Sequence, residues 1–153
     1  MTLPIILVLE DCRVRVKWLR DQFRGEAEIR WTWRVSEFLR ELDEHGPRVA
    51  CIVLDHDIPP PSSEEDDLEE LVWAHNAQDD ADGKCGYDAV LALPAVDVPI
   101  LVWSVNGVGS ERMMRELRAR GFRCERMPHL QVYYDRMEQF VRDAVVDHGR
   151  GRE

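Results

Sequence analysis

Apolar positions along the chain fall into short continuous runs, and between the runs apolar residues recur with helical spacing. Ile5 to Leu9 (IILVL) is apolar at every position, which predicts a strand buried on both faces. From Val14 to Phe23 the spacing turns helical, with Val14, Trp18, Leu19 and Phe23 inward and Arg13, Arg15, Lys17, Arg20 and Asp21 outward. Ile29 to Val35 alternates in part and predicts a second strand nearer the sheet edge. Ser36 opens a helix with Phe38, Leu39 and Leu42 on its inner face, and Gly46-Pro47 ends it. Val49 to Ile58 (VACIVLDHDI) reads as the central strand. It is apolar on both faces until Asp55, His56 and Asp57, and Pro59 to Pro61 bar its continuation.

Beyond it, Pro59 to Cys85 is a long connection that carries acids at Glu64, Glu65, Asp66, Asp67, Glu69, Glu70, Asp79, Asp80 and Asp82 against Lys84 alone. That length marks a lid, a binding loop or an excursion, with Leu68, Leu71, Val72 and Trp73 able to form a short helix. Gly86 to Leu93 predicts a short helix closed by Pro94, and Val98 to Val102 (VPILV) a fourth strand. Gly107 and Gly109 predict a turn, with Ser110 capping a helix that packs Met113, Met114 and Leu117 inward. Phe122 to Met127 is a shorter, more polar edge strand ended by Pro128, and Tyr133 to Val146 forms the last helix, with Met137, Phe140, Val141 and Ala144 inward. Five alternating strand and helix units select an α/β fold. Its five-stranded parallel sheet has order 2-1-3-4-5 with helices on both faces, which places strands 1 and 3 together at the switch point where ligands bind. One domain over residues 1–148, with the acidic insertion at 59–85 and a polar tail at 149–153, accounts for the chain.

Composition narrows the partners. At 153 residues and 17.8 kDa the chain suits a single core, because this length buries roughly 70% of the surface exposed on unfolding. The net charge of -10 argues against binding to a nucleic-acid backbone or an anionic membrane, while a small phosphate-containing ligand remains accessible through a bound cation. Cys12, Cys51, Cys85 and Cys124 lack metal-site spacing and read as free thiols in a reducing compartment. The N-terminal apolar run is too short for a secretory leader and no segment reaches the ~20 apolar residues of a membrane span, so a cytoplasmic protein is expected.

The candidate chemistry sits where the strands end. Glu10 and Asp11 follow strand 1. Asp55 and Asp57 follow strand 3, and by the two-residue period they lean together while His56 points to the other face. Four carboxylates converging in one crevice repel unless a cation sits among them, and hard oxygen ligands suit Mg²⁺ or Mn²⁺, giving Glu10, Asp11, Asp55 and Asp57 as the expected metal ligands. Ser104, Asn106 and the backbone of Gly107 to Gly109 are placed to bind phosphate oxygens, against the plainer reading of a glycine turn with a serine cap. Asp55, His56 and Ser104 are the candidate catalytic residues, although His56 also reads as a structural hydrogen-bonder and Asp11 as a helix cap. The acidic run is either a solvated face or the surface that docks a protein partner.

Taken together these residues resemble a response-regulator receiver domain: an acidic pair after strand 1, Asp55 after strand 3, Ser104 after strand 4 and Pro128 after strand 5. The resemblance implies a flavodoxin-like three-layer sandwich, Mg²⁺ held by the acids and phosphorylation of Asp55. The family's strand-5 lysine is replaced by Met127. Leu54 to Ile58 (LDHDI) and Trp103 to Gly109 (WSVNGVG) are similar to the divergent cyclic-phosphate-processing branch, with Trp103 where that branch carries histidine. Three functions follow as expectations. The first is a metal-dependent phosphate-handling domain acting as a phosphoesterase on cyclic phosphate groups of nucleotides. The second is a stand-alone signalling receiver phosphorylated on Asp55. The third is a pseudo-receiver that serves as a protein-binding module.

Overall fold

The computed structural model describes residues 2–58, 84–128 and 130–151. The acidic insertion, apart from Lys84 and Cys85, lies outside the described residues, and so does the expected docking surface on it. In chain order the elements are β1 (Ile5–Leu9), α1 (Arg13–Gln22), β2 (Glu28–Thr32), α2 (Val35–His45), β3 (Val49–Leu54), α3 (Gly86–Ala92), β4 (Ile100–Trp103), α4 (Gly107–Ala119), β5 (Cys124–Met127) and α5 (Tyr134–Arg150). All neighbouring strands pair in parallel, in the order β2-β1-β3-β4-β5. The sequence pattern therefore yields the expected flavodoxin-like sandwich.

The alternation of β1 and β3 divides the core in two. Ile5, Leu7, Leu9, Ile52 and Leu54 face α2, α3 and α4, where they meet Phe38, Leu42, Val90, Met113 and Leu117. Ile6, Val8, Cys51 and Val53 face α1 and α5, against Leu19, Phe23, Met137 and Val141. Burying each such side chain contributes about 1.5 to 3 kcal/mol, and filling both faces is what holds helices against both sides of the sheet.

Several local expectations change. β3 ends at Leu54, not Ile58, because the β1–β3 ladder runs out at Leu9 and Leu54. α1 rotates relative to the sequence reading: Val14 is 69% exposed, Val16 takes the inner position, and Arg15 turns toward the sheet. The cap of α4 is Asn106 rather than Ser110, its Oδ1 accepting the Gly109 N–H at 2.8 Å. The helix thus starts at Gly107, and Ser110 is buried within it. α5 runs on to Arg150, so the polar tail is shorter than the sequence indicates. Among the described residues no helix is long and apolar enough to cross a membrane.

Candidate functional site

Strand register assembles the site. Leu9 and Leu54 are paired neighbours, so the residues that follow them leave the sheet side by side. The Asp55 N–H extends the ladder to the Leu9 carbonyl at 2.8 Å, and the Glu10 N–H to the Thr32 carbonyl at 3.1 Å. The Trp31 indole N–H donates to the Glu10 carbonyl at 2.6 Å and pins this lip from the β2 side. Carboxylate oxygens of Glu10, Asp11 and Asp55 consequently lie within 4.8 Å of one another. Glu10 and Asp55 are buried, at 1% and 4% exposure, and Asp11 is half-buried.

Arg15, from the first turn of α1, sits against all three acids. Its Nη2 and Nε donate to Glu10 Oε1 at 2.7 Å and Oε2 at 3.1 Å, while Nη2 lies 3.6 Å from Asp11 and 3.4 Å from Asp55 Oδ2. Behind it stands an aromatic wall, with the guanidinium 5.9 Å from the Trp103 ring and Trp103 packed on Trp18 and Tyr134. Glu10 is saturated: Oε1 also accepts the N–H groups of Asp11 and Cys12 at 3.0 and 3.1 Å. That contact replaces the expected capping by Asp11, since α1 is entered through Cys12 with no side-chain cap. Sequence reasoning missed Arg15. Its only signal was the i, i+4 and i, i+5 spacing from Asp11 and Glu10, which the apolar count on α1 had assigned to the outer face.

The electrostatics follow from burial. Desolvation raises the Glu10 carboxyl above its ordinary range, opposed by the hydrogen bond from Arg15. Asp11 is pushed up to about 6, by burial first and then by the neighbouring Glu10 carboxylate. Asp55 is also raised by burial, opposed by a hydrogen bond from the Ser104 hydroxyl and by the charge of Arg15. For Arg15, its own burial is outweighed by Glu10, so the guanidinium is held in its charged form.

Asp57 does not join the three acids. Once β3 stops at Leu54 the two-residue period no longer applies, and Asp57, 59% exposed, turns instead to His56 and Asn106. His56 Nδ1 lies 2.7 Å from Asp57 Oδ1, and the Asn106 amide donates to both Asp57 oxygens at 3.2 Å. The imidazole hydrogen bond holds Asp57 below its usual range. His56 Nε2 faces Cys85 Sγ at 3.8 Å, so both ring nitrogens are engaged outside the three-carboxylate pocket. Ser104 is fully buried; its Oγ accepts the Asn106 N–H at 3.2 Å, which joins the Asp55 pocket to the His56 cluster. The Gly109 N–H, expected as a phosphate donor, is taken by Asn106, and Gly107 opens the helix beside the Arg126 side chain.

The donor set fits a divalent cation in part. Asp11 and Asp55 retain oxygen capacity and carry raised carboxyls of the kind a cation relieves, whereas Glu10 spends both oxygens on Arg15 and on backbone N–H groups. Where the receiver pattern has its strand-5 lysine, Met127 is buried in the same apolar cluster as Trp103 and Met137.

No protein-family model matches the chain, and no curated protein matches it significantly. Solved structures do. The signal receiver domain of a protein described as a Luxo repressor, from Vibrio parahaemolyticus, is similar with TM-score 0.58 at 14% identity, over 98% of this chain and 95% of that one. A CheY-like response regulator receiver domain from Methanospirillum hungatei gives 0.57 at 12%, over 98% and 99%. The response regulator domain of Thermotoga maritima CheB gives 0.56 at 13%, over 94% and 96%. At these identities the likeness establishes the receiver fold.

Proposed function

We propose that this chain is a signalling receiver-like domain that takes a phosphoryl group on Asp55. The observation that carries the reading is the burial of Asp55 at the lip of the central strand, within one pocket with Asp11, Glu10 and Arg15. Asp11 and Asp55 would hold a divalent cation such as Mg²⁺ or Mn²⁺, which when bound offsets charge on phosphoryl oxygens.

The chain's own residues divide the remaining work. Asp55 is the nucleophile, and the backbone N–H of His56, 2.7 Å from its Oδ1, orients the carboxylate. The Ser104 hydroxyl, whose single proton lowers the Asp55 carboxyl, is placed to turn that proton to an oxygen of the incoming group. Arg15 supplies the positive charge that Met127, at the end of β5, does not, while Arg126 of β5 lies beside Gly107. Trp103, 5.9 Å from the Arg15 guanidinium, backs the pocket with apolar surface.

Incubation with phosphoramidate and Mg²⁺ followed by intact-mass measurement tests this reading. The wild type gains the mass of one phosphoryl group and Asp55→Asn gains none; an unmodified wild type overturns it.

A second reading, processing of a cyclic phosphate ester, draws on the hydrogen bonds that run from Ser104 through Asn106 to Asp57 and His56. It requires His56 to leave Cys85 and Asp57 for the substrate. Turnover of 2′,3′-cyclic nucleotides that is lost in both Asp55→Asn and His56→Gln would establish it, and an inert wild type would remove it.

A further inference from the structure

The contacts of Arg15 are unequal, and their inequality has a chemical meaning. Two short hydrogen bonds tie the guanidinium to Glu10, at 2.7 and 3.1 Å, whereas Asp55 and Asp11 are met at the longer distances of 3.4 and 3.6 Å. Glu10 thus acts as the tether. Asp11 and Asp55 are the sites that the same charge covers loosely. With its acids ionised the pocket carries three negative charges against the single positive charge of Arg15, a residue of two that matches one divalent ion. No lysine follows β5 to share this role, because Met127 fills that position as core.

We infer that Arg15 is a tethered counter-cation that competes with a divalent ion for Asp11 and Asp55, and so sets how much free cation the site needs before Asp55 reacts. The inference rests on the receiver-like reading for its purpose but not for its test, because cation binding is measured without any phosphoryl donor. Arg15 is a positioning residue in this account. On binding of a divalent ion Nη2, the nitrogen that reaches Asp55 and Asp11, turns away from them while the Nε bond to Glu10 Oε2 persists, a motion open to a side chain that is still 20% exposed. Two like charges a few ångströms apart at a half-buried site repel strongly enough to shift an affinity by an order of magnitude.

The test is a calorimetric titration with Mg²⁺ alone. Arg15→Gln is expected to bind Mg²⁺ about tenfold more tightly than the wild type, equivalent to about 1.4 kcal/mol. Lys17→Gln, which removes the same charge from the exposed side of α1, should change affinity less than about twofold, as screening of a surface charge predicts. A merely structural role for Arg15 would weaken binding in Arg15→Gln, so equal or weaker binding overturns the proposal. Failure of every variant and the wild type to bind also overturns it.

Should Arg15→Gln not fold, the wild type alone decides by nuclear magnetic resonance of arginine side chains. The Arg15 Nη–H signals should move with Mg²⁺ occupancy, while those of Arg30, bonded to Glu41 on α2, stay in place. An Arg15 signal unmoved by saturating Mg²⁺ contradicts the proposal. If Asp55 proves inert to phosphoramidate while Arg15→Gln still tightens Mg²⁺ binding, the receiver reading fails and the counter-cation stands.

Discussion

At the scale of residues, the acidic pocket is held at a cost that pH reveals. Asp11 is pushed up to about 6 from an ordinary value of 3.8, chiefly by burial. A carboxyl raised on folding favours the folded state when protonated, so its contribution is complete below about pH 4 and is lost as pH rises through about 6. Asp11→Asn should therefore be more stable than the wild type near pH 7.5, by about 1 to 2 kcal/mol after allowing for solvent screening, with the difference vanishing near pH 4. Urea unfolding at the two pH values, without divalent ions, measures it; a constant difference would contradict the assignment. The convergence of Glu10, Asp11 and Asp55 was legible in the sequence because strand ends and strand order are periodic properties. Arg15 was not. A helical wheel ranks residues by apolarity and cannot see a buried carboxylate on the preceding loop, which here outweighs Val14 in choosing the face that α1 presents.

At the scale of elements, two glycines set how closely the lips approach. A Cβ on Gly109 would lie 2.4 Å from the His56 ring, so α4 packs flush on the imidazole that Asp57 holds. Gly109→Ala should cost about 1 to 3 kcal/mol by overpacking, and His56→Ala in the same chain should recover most of that, since the ring is the obstacle. A double-mutant cycle in urea decides, and strictly additive losses would show that the contact is not the cause. A Cβ on Gly86 would sit 2.0 Å from the Asp55 carbonyl oxygen, a backbone atom that cannot turn aside. Gly86→Ala should therefore cost more than Gly109→Ala and should shift the Asp55 backbone itself. From the sequence Gly109 read as part of a turn for a phosphate and Gly86 as the start of a short helix. Their positions were legible, but their purpose depends on what packs against them, which no local pattern contains. For the same reason Asp57 was misplaced: alternation holds only while the ladder continues, and the last β1–β3 pair is Leu9 with Leu54.

At the scale of the whole molecule, the charge imbalance of -10 and the local acidic pocket should separate in their response to salt. Sodium chloride screens self-repulsion and should raise Tm gradually without saturation. Mg²⁺ should add a saturable increase that follows ligand linkage, absent from Asp55→Asn. Scanning calorimetry at matched ionic strength distinguishes the two, and identical responses in wild type and variant would remove the pocket from the explanation. The fold class was readable because β1, β3 and β4 are apolar on both faces, a property that only a sheet covered on both sides demands.

The most direct measurement is the anomalous scattering of manganese in crystals of the wild type soaked in manganese chloride. The account predicts one peak bonded to oxygens of Asp11 and Asp55, with Arg15 drawn back onto Glu10. A pocket still closed by Arg15 with no ion, or a peak at Asp57 instead, would contradict it.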